Sequence, residues 1–207
     1  MLEKAGALIL VEIERIDRAS DSATASDKGG SVKAAVVSEC GTYRYLLTRP
    51  APVGLDFEQP CVGTALFVML NPSTADATVD DPTIRRCKSF AFRWACNGIA
   101  VVNLYGLRSP SPADLWKHAD PIGPDNDMWL RTAAHEHETV VFAWGANARP
   151  DRVREVYEIF RPGRFRKILC LGTTKDGSPR HPLYVRADQP LIEWAPIAAS
   201  DSAEGGA

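Results

Sequence analysis

Four stretches of the chain put polar, chemically useful side chains directly after apolar runs. The first is Asn71-Pro72-Ser73-Thr74-Ala75-Asp76, which follows the run 64–70 and leads into Asp80-Asp81-Pro82-Thr83-Ile84-Arg85-Arg86. The second is Asn103, closing Ile-Ala-Val-Val-Asn-Leu, with Tyr105 and Arg108 just beyond. The third is Trp144-Gly145-Ala146-Asn147, and the fourth is the polar loop 173–184 with Lys175, His181 and Tyr184. A pair of carboxamides can read the donor–acceptor edge of a heterocyclic base. Aromatic rings can stack on its face, and arginine or lysine can hold a phosphate. Each group also has an ordinary explanation. Asn103 could bond local backbone, Trp144 could be core, and 175–178 could be a turn with a solvated lysine. Arg85 and Arg86 could be solvent-facing helix charges, and Asp81 a helix cap. A third possibility is that Asp76, Asp80 and Asp81 hold Mg²⁺ in a hydrolase or transferase acting on free nucleotides.

These residues act together only if the intervening elements bring them to one side. The run 64–70 reads as a buried strand stopped by Asn71-Pro72. Asp81 and Pro82 suit the cap and first position of a helix over 82–97, with Asn97-Gly98 as its stop. Further strands are expected at 99–104, 139–144 and 166–171, with helices at 125–138 and 150–160. This alternation implies an α/β fold of three αβα layers around a mainly parallel central sheet. In such sheets ligands sit beyond the carboxyl ends of the strands, where all four polar stretches would fall. Ahead of this unit, 32–37 and 42–48 read as a β-hairpin around Cys40-Gly41. Segment 7–16 could be strand or helix, 19–31 is loop-like, 50–63 is a Pro/Gly-rich connection, and 200–207 reads as a frayed tail. The expected division is an N-terminal extension over 1–42, one α/β domain over 43–196 and a disordered tail over 197–207.

Composition narrows the function classes. A chain of 207 residues, 45% hydrophobic, can build a real core. Its formal net charge of −2 gives no overall basic excess for nonspecific hold on a nucleic-acid backbone. The five cysteines form no C-x-x-C pair, and the four histidines share no zinc-site spacing with them, so no metal or other cofactor is expected. The thiols read as reduced, in a cytoplasmic protein. No apolar run approaches membrane-spanning length.

The ordered motifs Met-Leu-Asn-Pro-Ser-Thr-Ala-Asp at 69–76, Asp-Pro-Thr-Ile-Arg-Arg-Cys at 81–87, Val-Asn-Leu at 102–104, Pro-Ile-Gly-Pro-Asp-Asn-Asp at 121–127, Ala-Trp-Gly at 143–145 and the stretch from Gly172 to Tyr184 resemble DUF1643, a family of unknown function. The resemblance covers about 43–194. A more distant one is to the uracil-DNA glycosylase superfamily. Leu70-Asn71-Pro72 is similar to the Asn-Pro form of its first motif, and Val101-Val102-Asn103 to its strand ending in Asn. Val141-Phe142-Ala143-Trp144-Gly145 is similar to its Val-Phe-x-x-Trp-Gly strand, and His181-Pro182 to its His-Pro loop. That likeness implies a uracil-DNA glycosylase-like fold. It also implies that Asn71 positions the water attacking the sugar C1′, Asn103 reads the base edge, and His181 stabilises charge on the departing base. Leu183 or Tyr184 would be the residue inserted on base extrusion. The chain departs from the superfamily pattern at Ser73, where tyrosine or glycine is usual, and in lacking Ser-Pro after His181-Pro182. The expected substrate-binding set is Asn103, Ser73, Asp76, Arg85, Arg86, Tyr105, Arg108, Trp144, Lys175 and Tyr184, with Asn71 and His181 catalytic. The expected partner is a nucleobase, nucleotide or DNA, bound by a monomer. The alternative is a non-catalytic module that binds a nucleotide or a nucleic-acid end through the same residues.

Overall fold

The computed structural model describes residues 33–51, 63–73, 75, 79–161 and 167–196. The expectations for 1–32, for most of 50–63 and for 197–207 lie outside the described residues. Among the described residues seven strands form one sheet in the order β1-β2-β4-β3-β5-β6-β7. They are β1 Ala34–Val37, β2 Arg44–Pro50, β3 Thr64–Met69, β4 Gly98–Asn103, β5 Val140–Phe142, β6 Ile168–Cys170 and β7 Ile192–Glu193. Among the described residues the α-helices are α1 Pro82–Arg93, α2 Pro112–Leu115, α3 Asn126–Glu136 and α4 Pro150–Phe160.

Strands β4, β3, β5 and β6 are parallel, and they are the near-continuous apolar runs of the sequence. Side chains alternate between the faces. Leu66, Val68, Val102 and Phe142 pack on one side, and Ala65, Phe67, Val101 and Val141 on the other. Helix α1 covers the second face with Ile84, Cys87, Phe90 and Ala91. Helices α3 and α4 cover the first through Leu130, Ala133, Val156 and Phe160. The fold is therefore mixed α/β with helices on both faces.

The sheet is less uniformly parallel than expected. The hairpin β1–β2 is antiparallel, β2 lies antiparallel to β4, and β7 is antiparallel to β6. The predicted hairpin thus extends the sheet rather than standing apart from it. Helix α1 stops at Arg93, four residues short of the expected end. Ala95 takes a left-handed φ of 58°, Cys96 N–H bonds Ala91 O at 2.9 Å and Ala95 N–H bonds Phe92 O at 3.1 Å. This is a Schellman ending, usually built on glycine, with buried Cys96 making its apolar contact.

The winding order sets up the opening. From β3 the chain passes through α1, on one face, to β4. From β4 it passes over β3 through α3, on the opposite face, to β5, and then through α4 on that same face to β6. Crossovers between parallel strands are right-handed, so reversing direction forces the helix onto the opposite face. The loops leaving β3 and β4 therefore diverge, and a crevice opens at their carboxyl ends.

Candidate functional site

A cleft of about 480 Å³ occupies that position, a volume within the range of roughly 300–1,000 Å³ typical of small-molecule sites. Residues from the ends of β3, β4, β5 and β6, and from the start of α1, line it. Asn71, Asn103, Trp144 and His181 all do so, as do Ser73 and Tyr184. Asn71, Asn103, Trp144 and His181 each lie more than 30 residues from the next along the chain, and parallel pairing is what brings them together.

The loop after β3 is held from several sides. Asn71 Nδ2 donates to Ser109 O at 2.9 Å, Pro72 O at 3.0 Å and Leu107 O at 3.4 Å. Ser109 N–H returns a bond to Pro72 O at 2.9 Å. Buried Arg44, on β2, donates from Nη1 to Ala75 O. The amide nitrogen of Asn71 is thus committed to backbone, and among the described residues no donor reaches its Oδ1. What Asn71 offers the cleft is an acceptor.

Asn103 is 1% exposed, and its Nδ2 has no partner. It does not make the local backbone bond that would explain it structurally. Its main-chain carbonyl is held by Asn126, whose Nδ2 donates to Asn103 O and Leu104 O, both at 3.1 Å. Leu104 O also accepts from Arg152 Nε at 2.9 Å, and Arg152 pairs with Asp127 and Glu155. The Asn126-Asp127 motif is thus the brace that fixes the end of β4. The indole Nε1 of Trp144 is a second buried donor without a partner at the cleft. The ring itself belongs to the core, 4.6 Å from Phe142 and 5.4 Å from Trp194 between centroids.

His181 caps a single 3₁₀ turn, Pro182–Tyr184, and its Nδ1 accepts from Leu183 N–H at 3.3 Å. An Nδ1 that accepts leaves the proton on Nε2, so the neutral ring is a donor through Nε2. Burial pushes the His181 pKa below 6.5, and the Asp81 carboxylate partly offsets this. The ring is therefore neutral at pH 7. The loop is tied to its neighbours on both sides. Gly145 N–H bonds Pro179 O at 2.8 Å, with Gly145 at φ 78°. On the other side, Arg86 donates from Nη2 to Val185 O at 2.7 Å and from Nε to Pro182 O at 3.3 Å, and lies 4.8 Å over the Phe90 ring.

Five of the expected binding residues do not line the cleft. Arg86 is a strut for the histidine loop, because its guanidinium is spent on two carbonyls. Exposed Arg85 turns back to Asp80 O. Arg108 Nη1 bonds Gly41 O at 3.1 Å, on the hairpin side. Tyr105 is buried, with its hydroxyl accepting from Arg149 N–H and its ring edge-on to Trp116. Lys175 is exposed in the turn that Thr174, Asp176 and Ser178 build. Asp76 lies outside the described residues. Both carboxylate oxygens of Asp80 are engaged, one by Arg49 Nε and one by Lys88 Nζ at 3.0 Å. Asp81 Oδ1 accepts from Ile84 N–H at 2.9 Å. The acidic group is thus largely structural, and among the described residues no three His, Cys, Asp or Glu side chains could hold a metal ion together. Leu183 and Tyr184 are 43% and 80% exposed, and of the two only Tyr184 lines the cleft.

The sequence reading passed over Arg180 and Thr83. Arg180 Nε is anchored on Thr173 O at 2.8 Å, while the side chain lines the cleft. Its position next to His181 was the available signal. Thr83, at the start of α1, carried none.

The fold and the cleft define a mixed α/β protein with a ligand-sized opening at the switch point of its sheet. The model of the family described as "Protein of unknown function (DUF1643)" matches residues 44–183, more than half of the chain, and the chain belongs to that family. No curated protein and no solved structure matches it. Among the described residues no helix is long and apolar enough to cross a membrane.

Proposed function

We propose that the cleft binds a nucleobase, within a nucleotide or in DNA, and hydrolyses its N-glycosidic bond in the manner of a uracil-DNA glycosylase. The observation that carries this reading is the buried carboxamide of Asn103, whose donor has no protein partner, in the same cleft as Asn71 and His181. Asn103 reads the edge of the base. As the C1′–N bond breaks, negative charge grows on a base oxygen, and the Nε2–H of neutral His181 donates to it. One such preorganised donor contributes about 10²–10³ in rate. Asn71 Oδ1 accepts from a water whose oxygen forms the new bond to C1′. The proton that water releases balances the departing base, and the products are free base and the sugar hydroxyl. An amide orients water without deprotonating it, which suffices if C1′ is already cation-like. A base taken from duplex DNA must first leave the stack.

The test is release of free base from uracil-containing and modified-base DNA, single- and double-stranded, and from nucleotides. Wild type is expected to exceed an Asn71→Ala, His181→Ala double variant. Equal rates would end the hydrolytic reading. A binding-only module is the second reading. It is favoured by the scarcity of a general base: among the described residues Asp81 is the sole carboxylate lining the cleft, and one of its oxygens caps α1. It expects ligand binding without release. A steep loss of affinity with salt would then mark phosphate contacts.

A further inference from the structure

Among the described residues one formal negative charge faces the cleft, and it has no part in the chemistry above. Asp81 lines the cleft at the start of α1. Its Oδ1 takes the Ile84 N–H, and among the described residues no donor and no cation reaches its Oδ2. The contrast with Asp80 next to it is sharp, since both oxygens of Asp80 are taken by Arg49 and Lys88. The charge also acts on the cleft, because it raises the proton affinity of His181 against the effect of burial.

Three donors of the cleft lack an acceptor among the described residues. Asn103 Nδ2 and Trp144 Nε1 are buried without partners, and His181 presents Nε2–H. A ligand carrying oxygens alone would meet the donors well but would set a carbonyl against the Asp81 carboxylate. An acceptor facing an acceptor is repelled, and an ion losing water without gaining a donor is costly. A ligand with an amino group beside its carbonyl satisfies both sets.

We propose that Asp81 selects a heterocyclic base bearing an exocyclic amino group next to ring acceptors, as in cytosine or guanine, with Oδ2 accepting from the amino group while Asn103 Nδ2 donates to a ring acceptor. This rests on reading the cleft as a nucleobase site. It makes Asp81 a specificity residue rather than the group that activates water. It also makes the amide of Asn103 and the carboxylate of Asp81 complementary halves of one readout.

The probes are deoxycytidine against deoxyuridine, and deoxyguanosine against deoxyinosine, titrated by calorimetry into wild type and two variants. Within each pair the amino group is replaced by an oxo group or by hydrogen. Wild type is expected to favour the amino member of a pair by about tenfold or more, the worth of one charge-assisted hydrogen bond. Asp81→Asn keeps an oxygen for the cap, since asparagine is an equally good N-cap. It exchanges Oδ2 for a donor, and it is expected to move the preference toward deoxyuridine. Asp81→Ser also caps and is expected to abolish the preference without reversing it. Wild type indifferent to the amino group, or an Asp81→Asn protein that keeps the wild-type preference while losing base release, overturns the inference and leaves the nucleobase reading standing. No binding of any of the four nucleosides to folded wild type overturns both.

Discussion

Arg86 lies outside the cleft yet governs its histidine, and replacing it gives a quantitative prediction. In Arg86→Ala two carbonyls lose their donor: Val185 O, bonded at 2.7 Å, and Pro182 O, bonded at 3.3 Å. The Phe90 ring also loses the cation above it. A charged hydrogen bond contributes roughly 1.5–3 kcal/mol when dry. Arg86 and Val185 are half-buried and one bond is long, so the lower end applies to one bond and less to the other. With about 0.5–1 kcal/mol for the cation over the ring, the sum is about 2–3 kcal/mol. For a chain of this size that lowers Tm by about 4–12 °C. The loss is also local. Hydrogen exchange at the Leu183 and Tyr184 amides, bonded to His181 Nδ1 and to His181 O, should rise well beyond that of α4 amides. Affinity for the cleft's ligand should fall although no lining residue has changed. Arg86→Lys should recover only part of each effect, because a single ammonium does not match the guanidinium fork. An Arg86→Ala protein with unchanged Tm and unchanged protection at 183–184 would refute the strut.

Three further outcomes are expected. Asp80→Asn removes one anionic partner of Arg49, a side chain only 1% exposed, and should cost about 1.5–3 kcal/mol in urea unfolding, the worth of one charged hydrogen bond. Asn71→Asp, which would supply a stronger base in a glycosylase, should instead destabilise by about 1–3 kcal/mol. It sets a carboxylate oxygen against the Ser109 and Pro72 carbonyls that now receive Nδ2–H, and thermal melts at pH 7 would read the loss. His181 has a folded pKa held down by burial, so below 6.5 the unfolded chain binds the extra proton first. Its contribution to stability is complete above pH 6.5 and is lost as pH falls through the folded pKa. Protonation also removes the Nδ1 acceptor from Leu183 N–H, so exchange at that amide should quicken over the same window, and His181→Gln should abolish the pH dependence.

The central unit of the fold was readable because its signals are local. An apolar run stopped by Asn71-Pro72 and an Asp81-Pro82 helix start gave β3, its loop and α1, and the 150–160 periodicity gave α4 to the residue. The end of α1 was misread because Ala95 adopts the left-handed conformation with no glycine to announce it. Strand β7, with two residues, and helix α2, with four, are too short to show a period. At the site, Asn71, Asn103, Trp144 and His181 line one cleft because parallel pairing puts strand ends together, a consequence that the alternation of elements makes legible. The errors fell on charged residues. Arg86 bonds carbonyls almost a hundred residues away, and Arg85 bonds one only five residues back. Both look the same in sequence, because a long cation carries no mark of which acceptor it finds. The acidic group misled for the same reason, since nothing near Asp80 in the chain announces Arg49 of β2 as its partner.

The opening beside β3 exists because consecutive connections leave the sheet in opposite directions. Asn71 and Arg44 brace the loop at its edge, but most of the side chains that border it take no part in forming it. Exchanging Asn103, Asp81 or Tyr184 would change what the hollow accepts without closing it, since the chain path that makes it is secured by the apolar strands beneath. Recognition and architecture are therefore separable here, and one scaffold of this kind can be refitted for a different small molecule by altering loop residues alone.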